Sequence, residues 1–80
     1  MSKPRCNWFT PSTRVNQPVT FQFTTGGLDC YLEGVLTPKD FYPAAPAVVQ
    51  ITARFSLQGV YTWTVINNDG VCTGTITVLS

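Results

Sequence analysis

The stretch GVYTWTVINNDGVCTGTITV, residues 59–78, contains two alternating runs separated by a short polar segment. Side chains alternate across a strand with a period of two, so each run divides into two faces. In the first run Tyr61, Trp63 and Val65 share one face, and Thr62, Thr64 and Ile66 share the other. In the second run Cys72, Gly74, Ile76 and Val78 alternate with Thr73, Thr75 and Thr77. The linking residues Asn67-Asn68-Asp69-Gly70 tolerate the positive φ of tight turns. The stretch therefore predicts a β-hairpin with one buried face and one mostly solvated face.

The composition indicates one small domain with a polar, weakly charged exterior. Hydrophobic residues make up 44% of the 80-residue chain, an ordinary fraction, whereas charged residues make up only 11%. Twelve threonines take the place of charges, which favours strands. A chain this short has a marginal core, so a disulfide, a partner or a host assembly would add needed stability. The net charge of +1 offers no electrostatic footprint for nucleic acid.

The remainder of the chain has no helical periodicity and predicts further short strands. Residues 6–10 form a predicted first strand, residues 28–36 a third with a possible bulge at Gly34, and the proline-rich residues 37–47 an edge or crossing segment. Two predicted strands have inward-facing sets: Val19, Phe21 and Phe23 in one, and Val49, Ile51, Ala53, Phe55 and Leu57 in the other. Six or seven such strands predict an all-β antiparallel β-sandwich, and the long crossing favours an immunoglobulin-like Greek key over a closed barrel.

The residues that carry most enzyme chemistry are scarce. The chain has no histidine, which removes the commonest general base and most catalytic zinc sites. Asp29 and Glu33 lie four apart on a strand, roughly 13 Å from each other, wider than a glycosidase pair requires. Asp69 is explained by its turn. We therefore expect a non-enzymatic protein without cofactor or metal.

Three cysteines allow two interpretations. An odd number without Cys-x-x-Cys spacing argues against a disulfide scaffold or a zinc site, so three buried free thiols are expected. The alternative is one bridge, from Cys6 to either Cys72 or Cys30. In an immunoglobulin-like topology a bond between Cys30 and Cys72 is not expected, because the sixth strand would lie between their strands and hold them roughly 9–10 Å apart.

The aromatic residues outside the hairpin also have two interpretations. Trp8 is expected in the core. Phe41 and Tyr42 are adjacent, so both cannot point inward on one strand and one is expected to be exposed. Packing under a loop is favoured for this pair over a carbohydrate platform.

Three of the five basic residues, Lys3, Arg5 and Arg14, fall within the first fourteen positions without an acid among them. They belong either to a solvated tail or to a surface that docks on an acidic partner. No stretch approaches a membrane span, and no apolar leader precedes the domain, so we expect synthesis in the cytoplasm.

Residues 59–63, Gly-Val-Tyr-Thr-Trp, resemble the start of the sixth strand of immunoglobulin-like domains, in which Gly or Asp precedes x-Tyr-x-Cys and the tyrosine forms the tyrosine corner. Tyr61 matches that corner. Trp63 stands in place of the second core cysteine, and Phe21 or Phe23 in place of the first, so an aromatic pair would replace the inter-sheet disulfide. Disulfide-free forms of this kind are similar to immunoglobulin-like domains of bacterial and tailed-bacteriophage proteins.

The resemblance implies a single domain over residues 1–80 with a short N-terminal tail of about residues 1–5. It implies a structural binding module on a virion surface, such as a capsid decoration or tail-displayed protein, whose partner is the phage capsid or tail and which binds a host glycan weakly. Lys3, Arg5 and Arg14 would contact the partner. The alternative is a carbohydrate- or adhesin-type module of a bacterial surface protein, and a small inhibitor is a third class, because this fold does not dictate function.

Overall fold

A computed structural model describes residues 1–34 and 39–80. These residues form seven strands and no helix. The strands are β1 (Ser12–Arg14), β2 (Pro18–Thr24), β3 (Cys30–Glu33), β4 (Asp40–Tyr42), β5 (Val48–Arg54), β6 (Gly59–Asn67) and β7 (Gly70–Leu79).

The strands form two sheets with the hydrophobic core between them, so the predicted all-β sandwich is confirmed. One sheet has five strands in the order β1-β7-β6-β3-β4, and the other pairs β2 with β5. The prediction of an antiparallel fold is wrong at one place, because β1 runs parallel to β7. The chain leaves β1 through a turn in which Asn16 has a φ of 64°, and it then crosses to the second sheet instead of folding back as a hairpin.

The hairpin over residues 59–78 forms as predicted. Strands β6 and β7 pair continuously from Gly59 opposite Val78 to Asn67 opposite Gly70. The turn differs from the expected chemistry, since neither Asn68 nor Asp69 has a positive φ. Instead the Asn67 side chain closes it: Oδ1 accepts hydrogen bonds from the backbone N–H groups of Asp69 at 2.8 Å and Gly70 at 3.0 Å.

Trp63 fills the centre of the core, on the face that the alternation predicted. Its ring centroid lies 4.8 Å from that of Phe21 and 6.1 Å from that of Phe23, so the indole bridges the two sheets. On β7, Gly74 lies opposite Trp63, and a Cβ at Gly74 would overlap the indole ring. The fully buried side chains around this cluster include Val65, Ile76, Val78 and Cys30.

The N-terminal segment departs from the sequence prediction. Residues 6–10 do not form a strand, because Cys6 is bonded to Cys72 and Asn7 donates through Nδ2 to the carbonyl of Thr73 at 2.7 Å. These contacts hold the segment against the β7 edge as a turn. Trp8 is consequently 43% exposed, so its expected core position is wrong.

The observed ends of β3 and β5 differ from the strand ends predicted from the sequence. Leu57 is 71% exposed because β5 ends at Arg54, so the expected inward position of Leu57 is wrong. Gly34 follows β3 with a φ of 103° and does not bulge within it. The end of the predicted strand over 28–36 falls outside the described residues. In the proline-rich segment, β4 forms the expected edge strand.

Candidate functional site

The outward face of the five-stranded sheet carries a row of large apolar side chains. Phe41 pairs with Tyr31, Tyr31 pairs with Ile66, and Ile66 pairs with Val71. The four residues therefore follow one line across β4, β3, β6 and β7. We call these four residues the outer row.

The outer row is open to solvent. Phe41 and Val71 are more than half exposed, at 54% and 55%, and Tyr31 and Ile66 are 42% and 36% exposed. Four such side chains side by side present on the order of 300 Å² of apolar surface, a patch size that often marks an interaction site. Single exposed apolar residues need no explanation, whereas a continuous line of them does.

Two of these side chains hold each other in place. The rings of Tyr31 and Phe41 meet edge to face, with centroids 5.5 Å apart and planes at 64°. The Lys39 ammonium lies 4.7 Å from the Tyr31 ring centroid, within cation–π range. The aromatic end of the row is thus preorganised and carries one positive charge.

Polar side chains border the outer row toward the middle of the sheet. Glu33 lies opposite Thr64, and Thr64 lies opposite Thr73, one side-chain layer below the row. A further layer contains Thr62 opposite Thr75. An apolar strip with a border made mainly of threonine hydroxyls, with one carboxylate at Glu33, has the composition of a protein interface, where charged residues are depleted from the core.

The three predicted contact residues do not form one patch. Lys3 lies at the end of the sandwich that holds the β6–β7 turn, with its side-chain stem against Gly70. Arg5 bridges to Thr24 at the same end of β2. Arg14 lies beside the start of β2, roughly 20 Å away along that strand, and its guanidinium donates to the Ser80 carbonyl at 2.8 Å.

Residues 2–5 are fastened to the domain. Ser2 donates its backbone N–H to the Gly26 carbonyl at 2.9 Å, and its own carbonyl accepts from Asn67 Nδ2 at 2.9 Å. The same Nδ2 donates to the Thr25 carbonyl at 2.9 Å. Pro4 is buried, and Arg5 exchanges backbone hydrogen bonds with Thr24. Asn67 thus joins the N-terminal segment, the β2–β3 loop and the β6–β7 turn.

The cysteines follow the alternative interpretation. Cys6 and Cys72 form a disulfide with a Cα–Cα distance of 5.6 Å, so the expectation of three free thiols is wrong. The segment over residues 6–10, which was predicted as a strand, runs beside β7 and brings the two sulfurs together.

Cys30 is a free, buried thiol that donates to the carbonyls of Leu28 and Thr25. Burial, with a smaller contribution from the negative charge of Asp29, raises the pKa of Cys30, which keeps the thiol protonated and weakly nucleophilic.

One acidic side chain, Asp29, has a structural contact. Asp29 Oδ1 accepts the backbone N–H of Ala44 at 2.9 Å and so fixes the loop that follows β4. Within residues 1–34 and 39–80, no three His, Cys, Asp or Glu side chains are grouped so that they could hold a metal ion.

The sequence predicted one part of the outer row. The expectation that one residue of the Phe41–Tyr42 pair is exposed is confirmed: Phe41 points outward, while Tyr42 packs edge to face on Phe23 at 5.6 Å. Tyr31, Ile66 and Val71 were not singled out. Each is apolar on the polar face of its strand, but only the cross-strand register shows that they are neighbours.

Comparisons with known protein families, curated proteins and solved structures find no match for this chain. In the part of the chain that the structure describes, no helix is long and apolar enough to cross a membrane.

Proposed function

We propose that the chain is a single immunoglobulin-like domain with Greek-key connections. The strand order supports this assignment, since two sheets pair β2 with β5 on one side and place β7, β6 and β3 together on the other. The Tyr61 hydroxyl donates to the Leu57 carbonyl at 2.7 Å, four residues upstream, as a tyrosine corner does. The rings of Trp63 and Phe21, 4.8 Å apart between the two sheets, would stand where the inter-sheet disulfide lies in antibody domains.

Within that fold, we propose a non-enzymatic binding module of a tailed-bacteriophage virion, either a capsid decoration protein or a tail-displayed protein. The observation that supports this most is the outer row, an organised apolar strip on an otherwise threonine-rich face. A small domain gains stability when such a strip is covered by a rigid lattice. The sheet face would dock on the capsid or tail, and the rest of the surface would remain in solvent.

The geometry of the outer row favours a protein partner over a glycan. A sugar stacks on an open aromatic face, but Lys39 covers one face of Tyr31 and Phe41 meets the ring at 64°. These two rings do not form a flat platform. A side chain of a partner protein can insert beside them, because aromatic and apolar residues recognise each other without a planar surface.

The disulfide supports display outside a reducing compartment. Disulfides persist in oxidising surroundings and are rare in the cytosol. A virion surface exposed to the medium fits this chemistry, and so does the alternative, an adhesin-type module of a bacterial surface protein. The genes beside this one separate the two proposals: capsid or tail genes support the first, and a leader or tandem domains upstream support the second.

Lys3 and Arg5 have a secondary role in this proposal. They lie at the end of the sandwich next to β7, near the Val71 end of the outer row, so they can add long-range attraction to an acidic lattice. Arg14 lies too far away to join the same contact.

The test uses purified phage particles prepared without the protein. Co-sedimentation of the intact chain should saturate, and a variant with Tyr31→Ser and Phe41→Ser should bind at least tenfold more weakly, since central aromatic contacts dominate interfaces. The matched control is Thr62→Ser with Thr75→Ser, an exposed and a half-buried position on the same face away from the row. Equal binding by both variants would place the contact elsewhere, and no binding by the intact chain would refute the virion proposal.

A further inference from the structure

The smaller sheet has two edges that differ in their protection. Along the outer edge of β2, Arg5 pairs with Thr24, so the fastened N-terminal segment covers part of that edge. Along the outer edge of β5, no described residue forms a backbone hydrogen bond to residues 48–54 other than those of β2. Every second residue of β5 therefore directs its N–H and C=O groups away from the sheet.

This edge lacks the features by which proteins usually block edge pairing. β5 is seven residues long, reads Val-Val-Gln-Ile-Thr-Ala-Arg, and contains neither proline nor glycine. It pairs with β2 without a bulge over all seven positions. Its only charge is at the terminal Arg54. Natural proteins avoid exposing such an edge because it is a template for another strand.

Two of the three inward side chains of β5 are only half covered, and the third, Ala53, is buried. Val49 and Ile51 pack against the core but remain partly exposed, whereas Phe21 and Phe23 on the neighbouring β2 are fully buried. The difference follows from the unequal sheets, since two strands face five. A third strand beside β5 would cover Val49 and Ile51.

We propose that the β5 edge pairs with the β5 edge of a second copy of this chain, antiparallel and about a two-fold axis at Ile51. This register is self-complementary. It places Val49 opposite Ala53 of the second copy and Gln50 opposite Thr52, so inward residues meet inward residues and polar residues meet polar residues. Arg54 lies opposite Val48, and no like charges face each other.

The paired edges form a continuous four-stranded sheet in the order β2-β5-β5-β2. The outward face already has a polar ladder, with Thr20 Oγ1 and Thr52 Oγ1 3.0 Å apart and Gln50 Nε2 donating to Gln22 Oε1 at 3.0 Å. Gln50 and Thr52 of the two copies extend this ladder across the junction. Edge pairing of seven residues adds roughly six to eight backbone hydrogen bonds and buries less than the roughly 1,200 Å² of a standard interface, so the dimer is weak and concentration-dependent.

The test is analytical ultracentrifugation of the full chain across a concentration series. The intact protein should move from monomer to dimer as concentration rises. The variant Gln50→Lys with Thr52→Lys places a lysine opposite a lysine twice in the dimer and should raise the dissociation constant at least tenfold. The matched control is Thr20→Lys with Gln22→Lys, which breaks the same two side-chain contacts and leaves the β5 edge unchanged.

A charge exchange tests the register itself. The variant Gln50→Glu with Thr52→Glu should also be monomeric, and an equimolar mixture with the lysine variant should form a heterodimer. Circular dichroism checks that each variant is folded. A protein that stays monomeric at every concentration would overturn the proposal, and so would a dimer that the lysine variant and its control weaken equally.

Discussion

At the scale of single residues, the core depends on the pairing of a large side chain, Trp63, with a glycine, Gly74, on the neighbouring strand. Trp63 occupies the space over Gly74, where any Cβ would overlap the indole ring. Gly74 has no positive φ, so its backbone conformation does not require glycine. The close approach of the indole ring requires it instead. The aromatic ring in turn packs over the backbone of the glycine, which has no side chain of its own to stabilise the strand.

The first prediction concerns this pair. Gly74→Ala should lower the free energy of unfolding by about 1–3 kcal/mol, because the buried methyl group forces the indole to move. Chemical denaturation followed by circular dichroism measures the loss. In a Trp63→Leu background the same substitution should cost much less. An equal cost in both backgrounds would show that the indole is not the obstacle.

The sequence predicted Trp63 well and Trp8 poorly, for one physical reason. Trp63 lies in a long strand, where a period of two decides which face a residue occupies. Trp8 lies in a segment whose path is determined by the Cys6–Cys72 bond, a contact between positions 66 residues apart. No local pattern contains that information.

At the scale of the elements, the N-terminal segment and β7 act as one unit. The disulfide, the Asn7 contact to Thr73 and the parallel pairing of β1 with β7 all join the two ends of the chain. The hydrogen bonds of Ser2 and Arg5 extend the attachment to the second sheet.

The second prediction follows from this attachment. Replacing both bridged cysteines, Cys6→Ala with Cys72→Ala, should lower the free energy of unfolding by about 4 kcal/mol, because the bond closes a loop of more than sixty residues in the unfolded chain. Guanidinium unfolding of the oxidised protein and of the variant gives the difference. Reductant should destabilise the intact protein and leave the variant unchanged. A variant as stable as the oxidised protein would contradict the argument.

Strands were easier to predict than their partners. The hairpin is contiguous, so its register follows from one turn. The outer row spans four strands from three separate stretches of sequence, and β1 was missed because three residues are too few to show alternation. The buried residues of β2 and β6 could be predicted, whereas the candidate docking face required the assembled sheet.

At the scale of the whole molecule, the two proposed contacts use different parts of the sandwich. The outer row lies on the outward face of the five-stranded sheet, and the β5 edge belongs to the other sheet. A dimer formed through β5 leaves both outer rows exposed. Two domains could then dock together, and their combined binding would exceed that of one domain.

The third prediction combines the two contacts. The monomeric variant Gln50→Lys with Thr52→Lys should still bind phage particles, but with an apparent affinity roughly tenfold or more below that of the intact chain, because avidity is lost. Co-sedimentation at protein concentrations above and below the dimer dissociation constant measures this. The control Thr20→Lys with Gln22→Lys should bind like the intact chain. Complete loss of binding by the β5 variant alone would mean that the edge itself is the docking contact.

The disulfide also determines how the domain responds to mechanical load. The bond joins Cys6 to Cys72, so every strand from β1 to β6 lies inside the covalently closed loop. When the two ends are pulled apart, tension passes through the sulfur–sulfur bond and bypasses the core around Trp63. The oxidised chain can lengthen only by peeling the last residues of β7 and the first residues of the N-terminal segment, whereas the reduced chain can unravel along its whole contour. Under tension applied at its two ends, the oxidised domain therefore keeps the strands inside the closed loop folded.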